Sequence, residues 1–411
     1  MMDRQRGNNP DLGHLRFVDY VGLLYCVFRI LVWELPLFLL TFFIRRTEFS
    51  AGFVTALHYF LVRKTGQFLT TPGLRWLTRP GSEHVNPVLT SRRYGPYHDN
   101  IYQTVARNGF KGFWVMQSSV QSPKPPASSD LTILYLHGGG YMSLSPAHYS
   151  LFLLRLGEAI IEQGMSVSIF ALDYSLAPEH VFPTQLEETA AAYEYLVNEE
   201  DVPPEKILLA GDSAGGHLAL SFLVDLANPH SSSGKALPEP RGLALMSPWL
   251  SLHNEFPSFK ANERRDVLSP PFLGRVVREF LGHDAAARDS PMRSRLNSPY
   301  LEFLTPEPAI EWDTVLPSWV WVSAGTDEIF FDSVKTWVGM VADRLGQGRV
   351  TFAVGPEKAH VWQWLETLTD EVMKKDFLGR DVGDRRGFEA TAAAGRAIAR
   401  QVRDHGQPDL R

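Results

Sequence analysis

The 411-residue sequence contains a single cysteine, which excludes any disulfide within the chain. This residue, Cys26, lies in an apolar stretch and has no partner at metal-ligand spacing, so we expect it to be buried and chemically inert. Asn-x-Ser/Thr acceptors for glycosylation are also missing. The pattern gives no indication of a secreted, disulfide-rich protein, and we expect neither a metal nor another cofactor.

The sequence also lacks an excess of basic charge. Its 40 Lys and Arg residues stand against 46 Asp and Glu residues, for a formal net charge of -6. Without a broad basic surface, the chain is not expected to bind nucleic acid. Internal repeats and long low-complexity blocks are missing as well. The length and the 44% hydrophobic content therefore favour one large core with an added cap.

One long apolar run lies near the N-terminus, from Val21 to Ile44, and is interrupted by Arg29 and Glu34. It is long enough to span a bilayer. Its Leu, Ile, Val and Phe residues favour membrane insertion by about 7 kcal/mol, and the two central charges oppose it by roughly 5 to 7 kcal/mol. Because these contributions nearly cancel, three arrangements stay open: a spanning helix, an interfacial helix and a helix packed on the rest of the protein. We treat residues 1–46 as a tail and membrane-anchor candidate.

Strand and helix patterns alternate regularly from residue 131 onward. This order is typical of an α/β fold with a mostly parallel, doubly wound sheet. We expect residues 47–411 to form one such domain, with a helical cap made by segments 47–110 and 250–312. The predicted strands are 112–115, 131–136, 166–172, 206–210, 242–247, 318–323 and 349–354.

A glycine-flanked serine lies within this pattern, in the run from Gly211 to Gly215. A predicted strand ends just before Ser213 and a helix begins just after it, which is the setting of a nucleophile elbow. The two glycines keep side chains out of the tight turn, and the strained serine backbone lifts the hydroxyl above the sheet. We therefore predict that Ser213 is a nucleophile. A turn serine that caps the helix is the alternative.

An acyl-transfer site also needs donors for an oxyanion. Strand 131–136 leads directly into a glycine-rich loop, His137 to Tyr141, where missing side chains let backbone N–H groups approach an anion. The alternative is a glycine-rich turn that binds nothing. We expect the oxyanion hole to consist of four backbone N–H groups, those of Gly138, Gly139, Gly140 and Ala214.

Three acidic residues follow strand 318–323, and each is a candidate for the acid that orients a catalytic base: Asp327, Glu328 and Asp332. Asp327 lies in the first loop turn beyond Gly325, and we predict it as the acid. Asp332 lies at a predicted helix start, where an aspartate usually acts as a cap.

His360 follows the last predicted strand and is the expected general base. Two other histidines fit less well, because His217 lies on the helix after the serine and His137 belongs to the glycine-rich loop. The chain order Ser213, Asp327, His360 is one of the orders in which serine-hydrolase triads occur. In this arrangement His360 takes the serine proton and Asp327 holds its tautomer.

Three ordered motifs carry a resemblance to a known family. Together they resemble the hormone-sensitive-lipase family of α/β hydrolases, and shorter matches at Gly325 to Asp327 and at Ala359-His360 extend the resemblance to about residue 365. The motifs are His137 to Tyr141 (HGGGY), Asp173 to His180 (DYSLAPEH) and Gly211 to Gly216 (GDSAGG).

The resemblance implies an α/β-hydrolase fold and a serine esterase or deacetylase with Ser213, Asp327 and His360 as its triad. The sequence departs from the family at two positions. Ser175 replaces the usual Arg, and Val361 replaces the glycine that usually follows the catalytic histidine. We interpret the DYSLAPEH segment as a structural brace behind the oxyanion loop.

The apolar segment ahead of this domain is similar to that of the membrane-anchored arylacetamide and steryl-acetyl deacetylases. This likeness implies an enzyme held on the endoplasmic reticulum membrane through residues 21–44, with a lipophilic small-molecule ester as substrate. Plant gibberellin receptors also resemble the family but lack a complete triad, so the intact residues here favour an enzyme. Arylformamidase-like amide hydrolysis and acyl transfer in a biosynthetic pathway use the same groups and stay open.

The two predicted cap segments are rich in large apolar side chains. We expect these to roof an apolar cleft over the strand ends, with few fixed polar groups. Packing within the cap's own core is the alternative. The residues are Phe53, Tyr59, Phe60, Trp76, Tyr94, Trp249, Phe272, Phe280, Leu281, Tyr300 and Phe303.

Overall fold

Eight strands form a single sheet in the structure, a computed structural model that describes residues 15–79, 87–228, 237–282, 298–306, 309–346 and 348–405. The strands are β1 (Gln103–Arg107), β2 (Phe110–Met116), β3 (Leu131–Leu136), β4 (Val167–Leu172), β5 (Ile207–Asp212), β6 (Gly242–Met246), β7 (Trp319–Gly325) and β8 (Val350–Gly355). Their order across the sheet is β1-β2-β4-β3-β5-β6-β7-β8. β2 runs antiparallel to β1 and to β4, and the other neighbours pair in parallel.

The predicted α/β class and mostly parallel sheet are confirmed. Each strand predicted from residue 131 onward lies within two residues of its expected bounds. Strands buried on both faces read as continuous apolar runs, and β3, β4 and β5 are buried throughout. The predicted cap segment 47–110 extends too far, because β1 lies inside it and pairs with β2 in the main sheet.

Helices cover both faces of the sheet and form a separate cap. α1 (Phe17–Arg29) and α2 (Leu35–Ile44) are joined by a π-helical turn, Ile30–Glu34, into one long helix. The remaining helices are α3 (Phe53–Phe68), α4 (Thr71–Leu77), α5 (Ser150–Ile161), α6 (Thr184–Asn198), α7 (Ala214–Ala227), α8 (Pro257–Ala261), α9 (Pro270–Leu281), α10 (Trp312–Val315), α11 (Phe331–Leu345), α12 (Trp362–Thr369), α13 (Glu371–Leu378) and α14 (Glu389–Asp404).

Two apolar cores lie on opposite faces of the sheet. Alternate residues of a strand point to opposite faces. Leu134 and Leu209 join the core that contains α6, α7 and α11, whereas Ile133 and Leu208 join the core that contains α5 and α14. Because most neighbouring strands pair in parallel, their carboxyl ends lie at one edge of the sheet. In folds of this kind, the loops that connect these ends form the functional site.

A third apolar cluster joins the helix Phe17–Ile44 to α3 and α4. Phe272 of α9 also packs against this cluster, so the N-terminal segment and the insertion after β6 meet in one cap. Among the described residues, Phe17–Ile44 is the one helix long and apolar enough to cross a membrane. The buried members of the cluster are Cys26, Ile30, Phe38, Phe42, Phe49, Ala56, Phe60, Leu69 and Leu74.

One glycine of the turn after β5 is required by the close approach of β3. A Cβ atom at Gly215 would lie 2.0 Å from the carbonyl oxygen of Leu136 and 2.6 Å from that of His137. These are backbone atoms of the sheet and cannot move aside easily. A Cβ atom at Gly339, in the middle of α11, would meet no atom within 4 Å.

We predict that Gly215→Ala lowers the melting temperature by about 5 °C or more, because the turn and β3 are forced apart. Gly339→Ala is the matched control and should raise it slightly, since alanine favours a helix interior by roughly 1 kcal/mol over glycine. Differential scanning fluorimetry of both variants measures the effect. Equal melting temperatures for wild type and Gly215→Ala would contradict the close approach.

Candidate active site

Ser213 lies in the reversal between β5 and α7, as the sequence predicted. Its backbone has φ 51° and ψ -118°, a conformation that side chains rarely adopt. The turn is held on both sides, because the Ser213 N–H donates to the carbonyl of Met246 (3.0 Å) and its carbonyl accepts from the N–H of Trp249 (3.1 Å). Within the described parts of the chain, the hydroxyl has no hydrogen-bond partner and lines an open cavity.

In the glycine-rich loop, two of the three N–H groups predicted as oxyanion donors have no partner among the described residues. Gly139 and Gly140 have φ values of 101° and 62°, line the same cavity as Ser213, and find no acceptor for their N–H groups among the described residues. The N–H of Ala214, at the start of α7, is also unpaired there. The expectation for Gly138 is wrong, because its N–H already donates to Asp212 (2.9 Å) and to Tyr149 (3.1 Å).

A buried carboxylate, Asp212, holds this loop beside the serine. It accepts hydrogen bonds from the hydroxyls of Tyr135 (2.7 Å) and Tyr149 (2.9 Å) and from the N–H of Gly138. Burial raises the pKa of Asp212 to about 6, although these three donors oppose the rise. Sequence reasoning gave Asp212 no role, and its position in the GDSAGG motif was the available signal.

His360 follows β8 and lines the cavity that Ser213 also lines. Its backbone N–H donates to the carboxylate of Asp266 (2.9 Å). The same carboxylate accepts the backbone N–H of Ile329 (2.8 Å), from the loop after β7. Burial lowers the pKa of the His360 imidazole to about 3, so the free enzyme holds it neutral. The next residue, Val361, adopts a left-handed φ of 50°, which accounts for the glycine that the family usually has there.

The structure places Glu328, and not Asp327, beside the imidazole. An oxygen of the fully buried Glu328 carboxylate lies 4.0 Å from Nδ1 of His360, and the Ser247 hydroxyl donates to the same oxygen (2.6 Å). Asp327 instead pairs with Arg265 at 3.4 Å. The expectation that Asp327 contacts the imidazole is therefore wrong. The two residues are consecutive and both are buried, but only Glu328 has a carboxylate oxygen near the imidazole.

Two buried atoms of these residues lack hydrogen-bond partners among the described residues: Nδ1 of His360 and Oε1 of Glu328. An unpaired buried polar atom is costly. The oxygen nearest to Nδ1 is Oε2, which already accepts from Ser247. Burial raises the pKa of Glu328 well above its usual value, and the nearby Asp266 carboxylate raises it further. In this structure the imidazole and the Glu328 carboxyl are neighbours without a hydrogen bond between them.

The other candidates considered from the sequence make structural contacts. Asp332 accepts the N–H of Ser258 (2.8 Å), so it ties α11 to α8 and does not cap its own helix. His217 is buried between the hydroxyl of Tyr141 (2.7 Å) and the carbonyl of Leu301 (3.2 Å).

The DYSLAPEH segment braces the oxyanion loop, as expected. The Tyr174 hydroxyl donates to the carbonyl of His137 (2.7 Å), and the Ala177 N–H donates to that of Tyr141 (2.8 Å). Ser175, where the family usually has Arg, bonds Glu188 through both its N–H and its hydroxyl.

The cavity over Ser213 has a volume of about 380 Å³ and is lined mainly by apolar side chains. It is bounded by the oxyanion loop, by α3, α4 and α9 of the cap, and by α12. A larger cleft of about 650 Å³ lies beside Arg75 and Glu179 but contains neither Ser213 nor His360 nor the glycine-rich loop.

Of the eleven large apolar residues expected to roof the cleft, Trp249 and Phe272 line the cavity. Most of the others pack elsewhere: Phe60 packs in the cap's own cluster, as the alternative interpretation held, whereas others pack in the cores of the sheet. Phe280 and Phe303, for example, are buried around His217, and Tyr94 lies in the opposite core.

A family model described as alpha/beta hydrolase fold matches residues 133–363, which is more than half of the chain. The chain belongs to this α/β-hydrolase family. The match begins in β3 and ends just beyond His360, so it includes every strand end at which the site is built.

Relatives of this hydrolase include enzymes that remove acyl groups. An acetyl-hydrolase of Streptomyces hygroscopicus is 31% identical over 249 residues, which cover 60% of this chain and 73% of that protein. An arylacetamide deacetylase of Oryctolagus cuniculus is 29% identical over 160 residues, 37% of this chain and 38% of that protein. These relatives agree with the resemblance found in the sequence, and this hydrolase is a carboxylic-ester hydrolase of the hormone-sensitive-lipase group.

Solved structures agree on the fold. A crystal structure of an esterase from the bacterial hormone-sensitive lipase family has a TM-score of 0.61 to this hydrolase, with 24% sequence identity. The alignment covers 86% of this chain and 99% of that one. The α/β-hydrolase fold expected from the sequence is confirmed.

Asp212 generates a prediction about pH and stability. Because its folded pKa of about 6 lies above the ordinary value of 3.8, the folded protein holds this proton more tightly than the unfolded chain. The stabilising contribution of this proton to the free energy of unfolding is full below pH 4 and is lost as pH rises through 6, by about 3 kcal/mol in all. Asp212→Asn should remove this part of the pH dependence of the free energy of unfolding. Denaturant midpoints of both proteins from pH 4 to pH 7 measure it, and parallel curves would contradict the raised pKa.

Proposed function

We propose that this hydrolase cleaves acetyl esters of lipophilic small molecules through an acyl-enzyme formed on Ser213. The observation that carries the proposal is that Ser213, His360, Gly139 and Gly140 line one apolar cavity, with the N–H groups of both glycines and of Ala214 unpaired among the described residues. A nucleophile, a base and oxyanion donors are the parts that acyl transfer requires.

In the proposed first step, the Ser213 hydroxyl attacks the ester carbonyl and its proton passes to Nε2 of His360. The neutral imidazole found in the free enzyme is the form that accepts this proton. Glu328, which lies next to Nδ1, then stabilises the imidazolium. The low-dielectric surroundings strengthen this attraction, but only after the charge on the imidazole has formed. The imidazolium gives the proton to the departing alcohol, and Ser213 retains the acyl group.

In the second step, water attacks the acyl-serine while His360 again accepts a proton, which releases the carboxylic acid and restores Ser213. The tetrahedral oxyanion of both steps is held by the N–H groups of Gly139, Gly140 and Ala214. Donors fixed in advance cost no reorganisation during the reaction. Asp212 keeps the glycine-rich loop in place for this purpose through Gly138.

The assignment of the acid is tested by two isosteric variants. We predict that Glu328→Gln lowers kcat on p-nitrophenyl acetate by a factor of about 10² to 10⁴, because the imidazolium loses its charged partner. Asp327→Asn is the matched control and should stay within about threefold of wild type, since Asp327 contacts Arg265. Ser213→Ala should lose activity by several orders of magnitude. A large loss in Asp327→Asn with an active Glu328→Gln would restore the acid predicted from the sequence.

The substrate proposal depends on the composition of the cavity. Leu268, Phe272 and Leu273 line one part of it, and Trp364 and Leu365 line another. Such a surface offers few hydrogen bonds to a sugar, whereas each CH₂ group buried against it contributes about 0.8 kcal/mol. A small acyl group on a bulky lipophilic alcohol therefore suits the cavity better than a charged or polyhydroxylated ester.

We predict that acetates of sterol-like or terpenoid-like alcohols have at least a tenfold higher kcat/KM than acetylated sugars, measured with purified protein in detergent. Leu268→Asn should narrow this ratio by placing an amide in the cavity. Leu226→Asn is the matched control, because Leu226 is a half-buried leucine outside the cavity. A preference of the wild type for sugar acetates would contradict the apolar-cavity assignment.

Membrane attachment through the N-terminal apolar helix is the second part of the proposal. The support is the helix Phe17–Ile44 itself, which has the length and composition of a membrane segment. We propose the endoplasmic reticulum as the compartment, on the likeness of the whole arrangement to anchored deacetylases. Fractionation of cells that express the full chain tests the compartment.

A further inference from the structure

The helix Phe17–Ile44 has an exposed side and a side that is packed against the cap. Every residue on its exposed side is apolar, aromatic or proline, with Leu24, Leu31 and Leu40 between 58% and 72% exposed. The other side is packed at intervals along its length, at Asp19, Cys26, Ile30, Phe38 and Phe42. The helix therefore lies along the cap and does not project from it.

The two acidic residues of this helix are paired on its packed side, whereas the side chain of Arg29 is 42% exposed. Asp19 accepts a hydrogen bond from Thr70 (2.9 Å), and Glu34 pairs with both Arg29 (3.2 Å) and Lys64 of α3 (2.9 Å). Attraction by these two cations lowers the pKa of Glu34 against the effect of burial, so the carboxylate is charged. Charges that are costly inside a bilayer are thus satisfied by the cap.

A spanning orientation would require this packing to be given up. The helix is about 42 Å long at 1.5 Å per residue, longer than the roughly 30 Å hydrocarbon core. To cross the core it would have to leave Thr70 and Lys64 and expose Phe60 and Leu69 of the cap, or carry the cap into the bilayer. Lying parallel to the membrane keeps every one of these contacts.

The cavity opens beside the same surface. α3 and α4, against which the long helix packs, also line the cavity through Val62, Gly66 and Leu74. Val62 is 50% exposed, and Leu368 on the opposite part of the cavity lining is 39% exposed. Apolar side chains therefore continue from the long helix to the cavity mouth.

We propose that the helix Phe17–Ile44 lies in the plane of one bilayer leaflet, with its exposed side among the acyl chains, and that esters enter the cavity from that leaflet. The occupant of this surface is lipid. The orientation rests on the helix alone, whereas the entry route rests also on the proposed esterase function. An interfacial helix buries an apolar side among the acyl chains while its other side stays out of them, and here the cap covers that other side.

Depth measurements separate the in-plane orientation from the spanning one. The single cysteine allows labelling in a Cys26→Ala background, with an environment-sensitive fluorophore at Leu24→Cys, Leu31→Cys or Leu40→Cys in phosphatidylcholine vesicles. We expect nitroxides attached near the headgroup to quench all three labels equally. In a spanning helix the label at residue 31 would lie about 10 Å deeper than the others, and that result would overturn the proposal.

A label at Val354→Cys is the control. Val354 is a 45% exposed residue of the edge strand β8, outside the long helix, and its label should remain outside the lipid. If no label on the long helix enters the vesicles and the protein sediments as a dimer, a second copy covers the surface, and the proposal is wrong.

The entry route is tested by activity on two kinds of substrate. Leu24→Glu/Leu31→Glu should keep the wild-type rate on water-soluble p-nitrophenyl acetate and lose at least tenfold on a sterol acetate embedded in vesicles. Val354→Glu, the matched control, should keep both rates. Unchanged hydrolysis of the embedded ester by the double variant would refute entry from the leaflet. Failure of the esterase proposal is distinguishable, because wild type would then lack activity dependent on Ser213 on either substrate.

Discussion

The Asp212 carboxylate is the interaction on which the rest of the site depends. It is the last residue of β5, so it is fixed by the sheet, and it directly precedes Ser213, the proposed nucleophile. By accepting the N–H of Gly138 it holds the glycine-rich loop at a set distance from Ser213. Two tyrosine hydroxyls satisfy its remaining oxygen lone pairs inside the protein. The serine and the donors that must act on the same carbonyl group are thereby positioned through one anion.

Asp266 performs a comparable task on the other side of the cavity. Its two carboxylate oxygens accept N–H groups from the loops that carry Glu328 and His360, so those loops cannot separate without leaving a buried charge unpaired. Its backbone carbonyl accepts a hydrogen bond from Arg63 of α3. The cap and the histidine loop are therefore joined through a single residue, and the position of the cap bears on the position of the base.

Sequence patterns predicted the sheet and the serine, because buried parallel strands and a strained turn both demand particular residues. They favoured Asp327 over Glu328, although the two are adjacent and either carboxyl could serve. Both side chains are buried after β7, and the choice depends on which of them faces His360 and which faces Arg265 in the folded loop. The free-energy sum for residues 21–44 likewise gave no decision, because it treats Glu34 as unpaired, whereas Lys64 lies 30 residues further along the chain. The role of Asp266 is equally remote in sequence from the loops it joins.

The burial of Phe60, Leu69 and Leu74 beneath the N-terminal helix changes what that segment is to the protein. A detachable anchor could be cut away to leave a freely soluble domain. Here, removing residues 1–46 would expose an apolar surface on the cap, directly above the cavity and next to Arg63. The shortened protein would be prone to aggregate, and its cap would loosen. Activity measured on it would therefore not represent the activity of the intact protein. The full chain, handled with lipid or detergent, is the natural unit of this fold.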